Sequence, residues 1–267
     1  VAVRISPSNI EGFNYNQCKG QSDIVFSDAN GMTLPHEIEC WNTNGESVAW
    51  VSLPTMTTNS PTTFTMNWKL GAEPDCCSTS VWTNAKYLGV FHMNTPVAAN
   101  TQTNSACGPN LTMVGASPSL QTSSKLPGTV LKNAIGQKTS ADILTFPNIV
   151  ASGINRPGFT LSGWSYWSGY KRDGAGYIME VRNPTSSTYP WEYTVRYNNP
   201  GIKFGTATPT RFTEYLVYSG WFYWTIVVEN KRTFKYYMNG AFRASKTVDN
   251  DKYVDNATTI HYQVGGT

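Results

Sequence analysis

The sequence predicts an all-β protein made of two consecutive antiparallel β-sandwich domains, over residues 1–80 and 81–267. Three observations predict it. In the stretch from Gly220 to Lys246, Trp224, Ile226 and Val228 recur at period two. Phe234, Tyr236 and Met238 repeat the pattern, and Asn239-Gly240 supplies two residues that tolerate positive φ. No segment carries sustained helical periodicity. The polar faces are poor in charge: charged residues make up 14% of the chain, against roughly 25% in an average soluble domain, and Thr, Ser and Asn take their place. A chain of 267 residues, 40% hydrophobic and 13% aromatic, has the material for full cores.

Taken in order, the first part carries strand-like runs at residues 1–5, 23–27, 37–41, 47–53 and 62–68. Asn30-Gly31, Asn44-Gly45 and a Thr/Asn/Pro-rich loop separate them. A turn follows at Gly71-Ala-Glu-Pro-Asp75, and the polar stretch 94–110 reads as a long surface loop. From residue 159 the pattern becomes strand, turn, strand again, with runs at 159–167, 177–182, 192–197 and 201–204, Gly174-Ala-Gly176 read as a hairpin turn, and finally the 220–246 region.

A net charge of +3 spread over this length gives no electrostatic grip on phosphate backbones, and no basic run is interleaved with aromatics, so nucleic acid is excluded as a partner. The longest apolar run, residues 221–228, is far short of the roughly 18 to 20 residues that span a bilayer. The opening Val-Ala-Val-Arg implies a removed leader or a longer polypeptide.

Five cysteines, Cys18, Cys40, Cys76, Cys77 and Cys107, all fall in the first 107 residues. No C-x-x-C pair exists and the vicinal Cys76-Cys77 chelates poorly, which disfavours zinc and favours disulfides: two bridges with one thiol free or joined to a neighbouring chain. Asn110-Leu-Thr112 and Asn256-Ala-Thr258 are N-glycosylation acceptors in form, and sequons also arise by chance in a chain so rich in Asn and Thr. Both features fit an extracellular or cell-surface location.

The run Ser22-Asp-Ile-Val-Phe-Ser-Asp28, then Gly31, Leu34-Pro-His-Glu-Ile-Glu39, Trp41-Asn42, residues 48–54 and residues 63–66 resembles an uncharacterised surface domain of bacterial and archaeal extracellular proteins. That domain of unknown function carries strings of the form S-D-I-x-F-x-D, L-P-x-x-I-E-x-W-N and V-W-V-x-x-P, and the likeness spans about residues 1–71. The second part is similar to a laminin-G-like, concanavalin-A-like jelly roll. Tyr87-Leu-Gly-Val-Phe-His-Met-Asn94 resembles its opening strand, Phe159-Thr-Leu-Ser-Gly-Trp164 its central strand, and residues 221–240 its long hairpin. The resemblances imply fold and location, and hardly any activity. Relative to both families the ends look short of a terminal strand, which implies either a piece of a longer polypeptide or head-to-tail assembly in which neighbours complete one another's sheets.

Chemistry is sparse. Glu37 and Glu39, two apart on a strand, share a face at roughly 7 Å, a spacing glycosidases use, but Trp41 stands where a third acid usually follows. The bland expectation for them is solvent-facing or turn-bonding carboxylates. His36, His92 and His261 are isolated in sequence and read as packed or surface side chains. Asp142 and Asp173 are too scattered for a calcium site, and no nucleophile elbow or phosphate loop occurs, so no catalytic residue, metal or cofactor is assigned. Trp164, Tyr166, Trp167, Tyr170, Trp191 and Tyr193 are candidates for a platform on which sugar rings stack, with Trp167, Tyr170 and Trp191 foremost. Trp164 most resembles a core tryptophan. The reading is therefore a non-enzymatic extracellular structural or adhesion protein, a subunit of a filament or surface assembly whose partners are copies of itself. A carbohydrate-binding module is the alternative, and a glycoside-processing enzyme stands third.

Overall fold

The computed structural model describes residues 1–56, 58–68, 78–82, 87, 89–93, 101–106, 108, 110–114, 119–122, 133–136, 143–147, 158–167, 177–183, 191–196, 200–204, 210–211, 220–230, 232–247 and 259–264. The chain divides into two compact units. The first comprises Val1–His92 and Asn104–Gly108, together with Leu126–Lys132, and the second comprises Met93–Thr103, Pro109–Lys125 and Asn133–Thr267.

In the first unit the strands are β1 (Ala2–Ile5), β2 (Ile24–Ser27), β3 (Thr33–Leu34), β4 (His36–Cys40), β5 (Ser47–Val51) and β6 (Thr65–Trp68), followed by a short helix α1 (Ser78–Trp82). They form two antiparallel sheets, β1-β5-β4 and β3-β2-β6. Alternation explains the core: Ile24 and Phe26 point one way from β2 while Ile5, Ala49 and Val51 come from the first sheet, and Phe13, Tyr15 and Leu34 fill the remaining space. The Asn30-Gly31 turn forms as predicted. Gly31 takes φ 80°, and Asp28 Oδ1 accepts the backbone N–H groups of Asn30 and Met32, each at 2.9 Å.

Two buried polar side chains knit the core. The Tyr15 hydroxyl donates to the Ile5 carbonyl at 2.7 Å and accepts the Ser47 N–H at 3.2 Å. His36 is fully buried, its ring nitrogens 3.1 Å and 2.9 Å from the carbonyl oxygens of Leu34 and Ile24, which links β4 to the opposite sheet through β2. Trp41, at the place where a third acid would stand, packs against this core with its ring 5.1 Å from Tyr15.

In the second unit the strands are β7 (Thr101–Gln102), β8 (Leu111–Val114), β9 (Ser119–Thr122), β10 (Asn133–Gly136), β11 (Ile143–Pro147), β12 (Phe159–Trp167), β13 (Tyr177–Asn183), β14 (Trp191–Arg196), β15 (Pro200–Phe204), β16 (Thr210–Arg211), β17 (Gly220–Glu229), β18 (Thr233–Met238), β19 (Ala241–Thr247) and β20 (Thr259–Val264). They build an eight-stranded sheet β16-β15-β14-β13-β20-β11-β8-β7, a four-stranded sheet β12-β17-β18-β19 and a pair β10-β9, antiparallel at every described pairing. The fold is all-β, as the sequence predicts. β7 and the buried Gln102 and Asn104 lie inside the stretch expected to be a surface loop; Asn104 belongs there because its Oδ1 accepts the N–H groups of Val90 and Ala106. The described residues of 87–94, expected to open a jelly roll, carry no strand.

The predicted hairpin is present. Phe222, Trp224, Ile226 and Val228 on β17 and Phe234, Tyr236 and Met238 on β18 are buried on one face. Asn239 and Gly240, with φ of 51° and 78°, make the tight turn into β19, and Asn239 Oδ1 accepts the Tyr223 N–H at 2.9 Å. One expectation is overturned. Gly163 faces Trp224, where an added Cβ would meet the Trp224 ring at 3.1 Å, so the inward position on β12 belongs to the glycine and Trp164 turns outward, 49% exposed rather than in the core.

Candidate functional site

The alternation of β4 positions the first cluster. Glu37 pairs with Trp50, Ile38 with Ala49 and Cys40 with Val48, leaving Glu39 as the extra residue of a β-bulge. Ile38 faces the core and the two glutamates face the other side of the sheet, where α1 packs on β4. His92 lies between them, with Nε2 3.2 Å from Glu37 Oε2 and Nδ1 3.1 Å from Glu39 Oε1. Two indoles complete the set: Trp82 donates to Glu37 Oε2 and Trp50 to Glu39 Oε2, each at 2.5 Å. The Ser105 hydroxyl donates to Glu37 Oε1 at 2.7 Å. The Trp50 and Trp82 rings each lie 6.3 Å from the imidazole, and the half-exposed Tyr87 meets Trp82 edge-on at 5.1 Å.

The side chains of Glu37, Glu39 and His92 are only 13%, 4% and 10% exposed. Burial works against a charged imidazole, but the hydrogen bonds and charges of Glu37 and Glu39 overcome it, so the His92 pKa rises from 6.5 to about 9. Burial likewise favours a neutral Glu37, and the hydrogen bonds from His92, Trp82 and Ser105 outweigh it, holding this carboxyl below its ordinary value. The expectation of solvent-facing carboxylates is corrected here: Glu37 and Glu39 are part-buried and ion-paired, and His92, read as a packed or surface side chain, is packed as their common partner. Protein donors occupy the oxygens of both carboxylates.

The second cluster is the outward face of the β12-β17-β18-β19 sheet. Trp164 and Tyr223 are cross-strand partners with ring centroids 5.3 Å apart, and Tyr237 and Phe242 are partners at 5.5 Å. Phe242 is 56% exposed. The Tyr223 hydroxyl donates to Ser162 Oγ at 2.8 Å, Thr233 and Thr247 hydroxyls meet at 3.0 Å, and Lys235 pairs with Glu229 at 2.7 Å. The face is thus aromatic and hydroxyl-rich, with its ion pair neutralised internally.

Of the stacking candidates, Trp167 pairs with Gly220 and Trp191 with Asn183 and Phe204, their side chains lying outside the description, as do Tyr170 and the side chains of Tyr166 and Tyr193. Cys18 is a half-buried thiol whose pKa is raised by burial and by Asp23, Cys40 ends β4, and Cys76, Cys77 and Cys107 lie outside the described residues. Asn110 is exposed just ahead of β8; Asn256, Asp142, Asp173 and Gly174-Ala-Gly176 also lie outside the described residues. His261 sits on β20 opposite Thr145 and Arg182. Among the described residues no group of His, Cys, Asp and Glu is arranged to hold a metal ion, and no helix is long and apolar enough to cross a membrane. Sequence reasoning missed Tyr223, Tyr237 and Phe242, although the same alternation that buries Trp224 and Tyr236 turns their neighbours outward.

Residues 20–73 match a family described as "Domain of unknown function (DUF2341)", which includes Glu37, Glu39 and Trp50 but neither Trp82 nor His92 nor Ser105. No curated protein matches the chain. Among solved structures, the chain is similar to domains LG4-5 of the mouse laminin alpha1 chain, at 11% identity and TM-score 0.35 over 46% of this chain and 32% of that one. It is also similar to the binding domain of botulinum neurotoxin serotype D, at 16% identity and TM-score 0.46 over 70% of this chain and 44% of that one. A third is the binding domain of botulinum neurotoxin DC, solved in complex with rat synaptotagmin II, at 17% identity and TM-score 0.42 over 62% of this chain and 41% of that one. The chain spans less than half the length of each of these structures.

Proposed function

We propose that the chain is an extracellular adhesion and structural module that holds glycans on the outward face of its four-stranded sheet. The observation that supports this reading is the pair of aromatic cross-strand contacts, Trp164 with Tyr223 and Tyr237 with Phe242, in which Trp164 and Phe242 are exposed to solvent. Pyranose C–H faces stack on such rings, and the hydroxyls of Ser162, Tyr223 and Thr233 supply a polar rim. With Lys235 cancelled by Glu229, the face suits neutral sugars better than anionic ones. No catalytic step belongs to this reading.

A glycan array on the whole chain, followed by calorimetry on any hit, tests it. Trp164→Ala and Phe242→Ala, both at exposed positions, are expected to weaken binding about tenfold each, near 1.4 kcal/mol. An array without hits, or affinity untouched by both substitutions, sinks the proposal.

A second reading, the filament subunit completed by strand exchange, draws support from β19, which among the described residues is an edge of its sheet. Unpaired N–H and C=O groups on such an edge are a template for a strand from another copy. Regular fibres in negative-stain micrographs of native material favour this assembly, and monodisperse particles at all concentrations count against it.

A further inference from the structure

We propose that Glu37, Glu39 and His92 form a charge clasp that fastens the two segments by which the chain leaves and re-enters the first unit, and that the clasp opens in alkaline solution. The chain departs this unit after His92 and returns at Asn104. Glu37 holds both crossings, His92 through Oε2 and Ser105 through Oε1. The crossings also bind one another: the Ser105 N–H donates to the Val90 carbonyl at 2.9 Å and the Val90 N–H to Asn104 Oδ1 at 3.0 Å. The two crossings are therefore held together side by side, and Trp82 ties the preceding helix to the same Glu37 oxygen.

The chemistry of imidazole supplies the trigger. Both ring nitrogens face carboxylates, so both must carry protons to donate; a neutral ring has one N–H and one lone pair. Loss of the proton leaves a buried carboxylate facing that lone pair, an arrangement costly enough to drive the partners apart. The titratable groups facing His92 among the described residues are Glu37 and Glu39, both from β4. β5 presents Trp50, α1 presents Trp82 and the returning segment presents Ser105, none of which titrates near neutrality. The two carboxylates explain why the ring stays charged well above the usual histidine range.

Hydrogen exchange of the intact chain, corrected for the intrinsic base-catalysed rate, reads the clasp at the amides of Val90, Ser105 and Ala106. Between pH 7 and pH 10 their protection is expected to fall at least tenfold while that of β17 and β18 holds. Glu39→Gln removes one of the two carboxylates and is expected to shift the onset to lower pH; His92→Gln is expected to produce the loss already at pH 7. Protection at these amides that persists at pH 10, or that falls only in step with β17 and β18, overturns the proposal. The wild-type arm decides the matter even where a variant fails to fold.

Discussion

The His92 proton is expected to be worth a measurable share of the first unit's stability, with a sign fixed by the direction of its shift. The ring titrates at about 9 in the fold against 6.5 for an unperturbed histidine, a difference of about 2.5 units. At 1.36 kcal/mol per unit this corresponds to roughly 3 kcal/mol. Because the folded pKa is raised, the contribution is fully present below about 6.5 and is lost as pH rises through about 9. Glu37 sets the acid limit: its folded pKa is depressed, so its contribution is present above 4.5 and fades as pH falls through the lower folded value. The chain holds three histidines, so proton NMR resolves their titrations individually. One resonance, assigned by its absence in His92→Gln, is expected to move near pH 9, and urea unfolding of the first unit is expected to weaken over the same interval. A His92 resonance titrating near 6.5, or unfolding curves that superimpose from pH 6 to pH 10, refutes the linkage.

Tyr15→Phe removes a hydroxyl that satisfies the Ile5 carbonyl and the Ser47 N–H inside the core. It is expected to cost about 1–3 kcal/mol in urea unfolding; a loss under half of that would mean water or a shifted backbone replaces the bond. Gly163→Ala places a methyl 3.1 Å from the Trp224 ring and is expected to destabilise the second unit by about 1–3 kcal/mol, with a changed Trp emission. An unchanged melting profile would show that the ring yields freely.

Alternation made most of the sheet legible. Trp224, Ile226 and Val228 announced a buried face by period two, and Asn239-Gly240 announced the turn, because both signals are local and each is written in consecutive residues. The same rule read one residue further would have placed Tyr223 and Tyr237 outward. Trp164 departs from expectation for a different reason: bulk suggests burial, yet the inward slot on β12 opposite Trp224 admits only the glycine beside it. The pairing of Glu37 and Glu39 on one face was readable, but their partner was not. His92 stands 55 residues from Glu37, and Ser105 is 68 residues away. Contacts of that separation arise from the fold's return path and leave no periodic trace in sequence.

The energetics of the two clusters argue for where a ligand settles. A ligand reaching for Glu37 has to displace donors from Trp82, Ser105 and His92, and hydrogen bonds to charged groups are worth about 1.5–3 kcal/mol each. Its gain at the carboxylate is therefore offset before binding begins. Trp164 and Phe242 carry no such debt, since their exposed ring faces contact water that leaves without breaking a protein bond. A saccharide that covers Trp164 and Phe242 bridges three strand spacings, about 14 Å, more than a single pyranose covers. Short linear oligosaccharides are consequently expected to bind more tightly than their monosaccharide units, and Phe242→Ala to erase that advantage while leaving the monosaccharide affinity at Trp164 unchanged. Equal affinities for monomer and oligomer would show that the two aromatic rows do not act on one ligand.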